Sequence, residues 1–141
     1  MATATFTNAS NYGPNDYIES TVTITGITVA DVTNMRFELD WNPNGASPSC
    51  GGDAYSSSCF ITDPGYNYYY MFGSYDKSGT IARTDTYDKT SGFPANFNGD
   101  WVFTLEDEDY TGCNTVTETR IIVTYTAAAA TTNAPFLMFV D

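Results

Sequence analysis

The sequence predicts an all-β protein, an antiparallel, jelly-roll-like β-sandwich of about eight to nine strands. Three observations lead there. Apolar side chains recur at every second position in several segments, the period of a strand with one buried face. Thr is frequent, with 22 residues, beside 11 Tyr, 9 Phe and 2 Trp, and β-branched and aromatic side chains suit a pleated surface. Clusters of Gly, Pro, Asn and Asp interrupt these segments at short intervals, as turns between strands require. A chain of 141 residues can bury one core. Residues 1–126 are assigned to the sandwich, and 127–141 to a small-residue linker with an apolar C-terminal strand or arm.

Each element follows from the same reading. Ala4 to Thr7 is a short edge strand, and Asn11 to Asp16 is a turn cluster around Gly13-Pro14. From Tyr17 to Thr25, Ile18, Ser20, Val22 and Ile24 share one face, while Glu19, Thr21 and Thr23 share the other. Val29 to Val32 bridges to the clearest strand, Met35 to Trp41. There Met35, Phe37, Leu39 and Trp41 oppose Arg36, Glu38 and Asp40. Asn42-Pro43-Asn44-Gly45 ends it, and Ser47 to Ser58 is a cysteine-bearing loop. Phe60-Ile61 begins a strand that Asp63-Pro64-Gly65 interrupts. Tyr66 to Phe72 carries four tyrosines in five residues, and Thr80 to Tyr87 reads as an edge strand. Trp101, Phe103 and Leu105 point inward, Glu106 to Gly112 is an acidic connection, and Thr117 to Tyr125 places Thr117, Thr119, Ile121, Val123 and Tyr125 on one side. Phe136 to Val140 is the last apolar strand.

Charge and missing residue types exclude several functions. Seventeen acids against five bases give a net charge of −12, which repels phosphate backbones and anionic lipid heads. Nucleic-acid and membrane binding are therefore not expected. The chain holds no His, so the Ser-His-Asp and Cys-His devices are unavailable, and no enzymatic activity is expected. No Gly-rich phosphate loop with its Lys is present. Residues 1–15 have neither a basic region nor an apolar core of the export-signal type. Asn8-Ala9-Ser10 is a glycosylation sequon, meaningful in a secreted eukaryotic protein.

The candidate site residues form three groups. Glu106, Asp107 and Asp109, which Asp100 and Asp53 could join, could supply oxygens to Ca²⁺, or simply make a solvated acidic turn; no other cofactor is indicated. In the tyrosine run, Tyr66, Tyr68 and Tyr70 face one way and Tyr69 and Met71 the other, one set core and the other an interface for protein or glycan. Phe136, Leu137 and Phe139 either close the sandwich or add to the edge of another chain. Three cysteines are an odd number. Cys50 and Cys59 flank a loop of about ten residues that a disulfide would close, stabilising by roughly 2–3 kcal/mol. Cys113 is then left as a free thiol, buried and inert by default, or as an intermolecular partner.

Two stretches resemble the P domain, or Homo B domain, that follows subtilisin-like proprotein convertases. Phe37-Glu38-Leu39-Asp40-Trp41-Asn42-Pro43-Asn44-Gly45 is similar to that family's strand ending in a Ser-Pro-x-Gly-Thr turn. Phe97-Asn98-Gly99-Asp100-Trp101-Val102-Phe103-Thr104-Leu105-Glu106-Asp107 is similar to its Phe-Asn-Gly and Gly-x-Trp-x-Leu-x-Val-x-Asp elements. The family's His-Thr-x-x-x-Asp-Leu segment is absent. The resemblance implies a non-catalytic sandwich that stabilises or tethers a partner, with acidic loops able to hold calcium. Two functions are expected from the chain as a whole. The leading one is a structural protein of a virion surface or capsid decoration, assembling with copies of itself or other structural proteins. The alternative is an extracellular, P-domain-like accessory module binding calcium or carbohydrate.

Overall fold

The alternation read along the sequence is kept in three dimensions. Residues 1–43, 55–77, 82–107 and 113–127 are described in this computed structural model, and nine strands form among them. They are β1 (Ala2–Asn8), β2 (Tyr12–Asn15), β3 (Tyr17–Ile24), β4 (Val32–Asn42), β5 (Tyr55–Thr62), β6 (Tyr68–Lys77), β7 (Arg83–Lys89), β8 (Gly99–Asp107) and β9 (Asn114–Tyr125). One sheet runs β1-β9-β4-β7, with β2 also on β9; the other runs β3-β8-β5-β6. All strand pairs are antiparallel, and the order is that of a jelly-roll sandwich. β1 and β7 are edge strands, as the sequence predicts.

The inner faces interlock through large side chains. Met35, Phe37, Leu39 and Trp41 of β4 and Ile121 and Val123 of β9 meet Ile18, Val22 and Ile24 of β3, Ile61 of β5, and Trp101, Phe103 and Leu105 of β8, all buried. Phe37 lies at the centre, with ring centroids of Trp101, Tyr87 and Phe103 at 5.5, 6.0 and 6.1 Å. Each fully buried side chain of this size contributes about 1.5–3 kcal/mol by leaving water. The two indoles keep their N–H groups satisfied: Trp101 donates to the Phe97 carbonyl at 2.9 Å and Trp41 to Asp85 at 2.6 Å. Ser20, the polar member of the inward set of β3, shares a 2.7 Å hydrogen bond with Thr119 of the opposite sheet. That bond lets both polar groups stand in the core.

Several local expectations are corrected. The Asn11–Asp16 cluster is not only a turn: Tyr12–Asn15 pairs with β9, through a cis Gly13–Pro14 bond. Gly13 has φ +92°, and a Cβ there would collide with the Asn114 carbonyl, so only glycine fits. Strand β5 starts at Tyr55, within the predicted loop, and Glu106 and Asp107 belong to β8 rather than to a connection. Thr117 faces outward. Asp40 pairs with Glu118 but Trp41 with Val116, so Thr117 is an extra residue in a bulge, and Val116 takes the inward place.

Cysteine pairing also differs from the expectation. Cys59 does not join Cys50: it sits at a buried position of β5 as a thiol, its Sγ 3.8 Å from the Met71 sulfur. Cys113, buried just before β9, is the disulfide-bonded cysteine, and its partner lies outside the described residues, as Cys50 does. The reason is strand geometry. Residues 55–62 are held in a ladder rather than a pliable loop, so the inward phase of β5, not loop length, sets where Cys59 points.

Candidate functional site

The outer face of the second sheet gathers four of the five large hydrophobic side chains that stand exposed among the described residues. Register builds it rung by rung. Glu19, Thr104, Phe60 and Tyr70 lie side by side on β3, β8, β5 and β6, and Thr21, Val102, Thr62 and Tyr68 form the next rung. Tyr68 and Tyr70 flank the Phe60 ring at 5.5 and 6.1 Å. Tyr17 completes the face at the β3 edge. Its hydroxyl donates to Glu19 at 2.7 Å, and its phenol is held above the ordinary value first by that bond, then by burial and the charges of Glu19 and Glu106. Exposure is high: 50% for Tyr17, 82% for Tyr66, 65% for Tyr68 and 68% for Tyr70.

Tyr66 stands beyond the strand, in the turn between β5 and β6. It has φ +64°, a left-handed conformation uncommon for a residue with a bulky side chain. Asp63 imposes it. The Asp63 carbonyl accepts the Tyr66 N–H at 2.9 Å, and its backbone N–H donates to Asn67 at 3.0 Å. Its buried carboxylate accepts from the Gly65 N–H at 2.7 Å, the Asn67 N–H at 3.0 Å, the Asn67 side-chain amide and the Tyr69 hydroxyl at 2.7 Å. Burial pushes the Asp63 carboxyl up. The donors from Asn67, Tyr69 and Gly65 outweigh it and hold the group below the usual carboxylate range. The Tyr69 phenol is pushed well above its ordinary value by burial and by its bond to that carboxylate.

Two hollows open on this face. One, about 290 Å³, is lined by Tyr17, Glu19, Thr21, Phe60, Thr62, Tyr66, Tyr68, Val102 and Thr104. The other, about 310 Å³, is lined by Thr62, Asp63, Pro64, Tyr66, Asp100 and Val102. Thr62, Tyr66 and Val102 border both, so the hollows adjoin. Hydroxyls, carboxylates and aromatic rings all line them. Such a surface presents hydrogen-bonding groups and apolar ring faces together.

Of the predicted site residues, Tyr66, Tyr68 and Tyr70 come together here as the outward set. Tyr69 does not: its ring is half-buried, stacked on Trp101 at 6.4 Å beneath the Lys89 ammonium at 4.3 Å. Strand alternation turns it inward, so it supports the face rather than forming it. The calcium candidates do not converge. Glu106 is outward beside Tyr17, Asp107 is buried with its N–H on the Asp16 carbonyl at 2.7 Å, Asp100 accepts the Thr23 hydroxyl near the other end of β8, and Asp53 and Asp109 lie outside the described residues. Among the described residues no three His, Cys, Asp or Glu side chains are placed to hold a metal ion. Phe136, Leu137 and Phe139 also lie outside the described residues. Sequence reasoning missed Tyr17, Phe60, Glu19 and Asp63, and weighed Asp100 only as a possible calcium ligand. The signal for Tyr17 and Glu19 was present, as both stand on the outward phase of an otherwise well-read strand.

No protein-family model matches the chain, and no curated protein matches it in sequence. Among solved structures it is similar to a recombinant N-glycanase F (PNGase F), with a TM-score of 0.62 and 12% identity over 89% of this chain and 42% of that one. It is also similar to the dimeric latent PorU of Porphyromonas gingivalis, with a TM-score of 0.51 and 8% identity over 87% of this chain and 12% of that one. The chain thus spans under half the length of either structure. What it shares with both, at such identities, is an architecture: the two-sheet antiparallel β-sandwich.

Proposed function

We propose that this chain is a non-catalytic binding module whose working surface is the outer face of the β3-β8-β5-β6 sheet. One observation carries the reading. Of the five large hydrophobic side chains exposed among the described residues, Tyr17, Tyr66, Tyr68 and Tyr70 stand on that face, and Met1 is the exception. Scattered exposed apolar residues need no explanation, but a contiguous group rimmed by polar side chains marks an interaction site. An extracellular accessory role, as the resemblance to the P domain implies, fits this reading. Calcium has weaker support than a ligand on the aromatic face, because Glu106 and Asp107 lie on opposite sides of β8.

The same exposed rings favour a second reading, self-association as a component of a virion surface or capsid decoration. A net charge of −12 works against two copies meeting face to face. The double variant Tyr68→Ser/Tyr70→Ser tests the face itself. Light scattering after size exclusion, and a glycan microarray, are compared with the unaltered protein. If both mass and glycan capture are unchanged by the double variant, the face is not the working surface.

A further inference from the structure

The occupant of this face is legible from the groups that line its two hollows. We infer that the face binds a neutral or amino-bearing sugar chain, with neighbouring sugar units in the two hollows on either side of Tyr66; this rests on the reading of the aromatic face as the working surface. Each hollow holds a carboxylate that is already oriented. Glu19 accepts the Tyr17 hydroxyl on Oε1 at 2.7 Å, and Asp100 accepts the Thr23 hydroxyl on Oδ1 at 2.6 Å. One oxygen of each is thereby fixed, while Glu19 Oε2 and Asp100 Oδ2 accept no hydrogen bond from the described residues. These are preorganised acceptors for ligand hydroxyls. Thr21, Thr62 and Thr104 add hydroxyls that can donate or accept.

The rings set the rest of the chemistry. A sugar presents C–H groups on its faces and hydroxyls around its rim, so it satisfies ring and carboxylate together. Tyr66 borders both hollows and can flank two consecutive units. Charge narrows the class. No Lys or Arg lines either hollow, and Glu19, Asp63 and Asp100 all do, so sulfated, phosphorylated or uronic-acid chains are repelled. A second copy of the protein would bring its own acids onto these carboxylates, and an apolar peptide would leave them buried without donors. A neutral or amino sugar chain conflicts with neither.

Calorimetric titration of the full chain with β-linked glucan, mannan, xylan, N-acetylglucosamine and glucosamine oligosaccharides tests this, with heparin as the anionic control. At least one neutral or amino oligosaccharide is expected to bind and heparin is not. The disaccharide should bind more tightly than the monosaccharide, because it reaches both hollows. Tyr66→Gly removes the shared ring while suiting the left-handed backbone, and should weaken binding about three- to tenfold, the worth of one ring contact. Glu19→Gln and Asp100→Asn keep the shape and remove the charge, and should each weaken binding by about tenfold. Arg36→Ala, on the other sheet, should leave binding unchanged, and melting curves confirm that each variant is folded. If no oligosaccharide binds, or if Tyr66→Gly, Glu19→Gln and Asp100→Asn bind as the parent does, the sugar assignment is overturned. Should Tyr68→Ser/Tyr70→Ser then still alter oligomeric mass, the face is a protein interface and only the occupant was wrong. If mass is unaltered as well, both readings fall.

Discussion

The two outer faces of this sandwich satisfy their side chains in opposite ways. On the first sheet, Arg120 sits among three acids, bonded to Glu38, Asp40 and Glu118 at 2.7 Å each, and Arg36 forms a two-pronged bridge to Asp88 at 2.9 Å. Asp40 Oδ1 also accepts the Thr84 hydroxyl. Burial raises the Asp40 carboxyl, but its bonds to Arg120 and Thr84 outweigh that and hold it low, while Asp40 above all, then Glu118, holds the Arg120 guanidinium well above its ordinary value. That face is closed on itself. On the second sheet, four tyrosines and Phe60 leave ring surface in water, and two carboxylates are held through one oxygen each. The first face spends its charged groups on one another, whereas the second leaves rings and carboxylate oxygens open to the ligand we propose.

The comparison can be broken at defined points. The largest effect is expected at Asp63, the support of the aromatic face. Asp63→Ala leaves the donors of Gly65, Asn67 and Tyr69 without their acceptor and should cost about 2–4 kcal/mol in urea unfolding, since several bonds to one buried charge are lost. It should also abolish ligand binding by releasing the Tyr66 turn. Next is Arg120→Ala, which leaves Glu38, Asp40 and Glu118 facing one another. A loss of about 1–2 kcal/mol is expected, shrinking as salt is raised and the repulsion is screened. Ligand binding should be untouched.

Acid should act through both faces. Asp63 and Asp40 have folded-state values below those of the unfolded chain. Their stabilisation is full above the unfolded carboxyl value of about 4 and is lost as pH falls through their lowered folded values. Asp63→Asn, followed by unfolding at stepped pH, should therefore show a shallower loss of stability below about pH 4 than the parent. An equal slope would mean that Asp63 does not carry the acid sensitivity. The smallest effect on stability belongs to Tyr68→Ser/Tyr70→Ser. Exposed side chains with no core contact should change it by about 0.5 kcal/mol or less, while binding is lost. A large destabilisation instead would mean the rings hold the fold rather than a partner.

Much of the fold was legible from alternation. Met35, Phe37, Leu39 and Trp41, and the inward set of β3, are buried as their period requires, because a strand whose core face is apolar has one register that hides it. The site was half legible. The outward phase of Tyr66, Tyr68 and Tyr70 could be read as one of two sets, but nothing in the local sequence says which of the two meets the core. Asp63 looked like a turn breaker, and its role depends on Tyr69, which reaches it from β6.

By itself, then, the sequence determined the class of the fold and most of the strand phases. Tertiary structure alone decided which residues became neighbours. Glu19, Thr104, Phe60 and Tyr70 are scattered across more than half the described chain and share one rung. Thr117 was displaced by a bulge, and Cys59 was turned into the core away from a disulfide. The physical reason is that period fixes the side to which a residue points, whereas strand order and register, set by the packing of both sheets together, fix what it points beside.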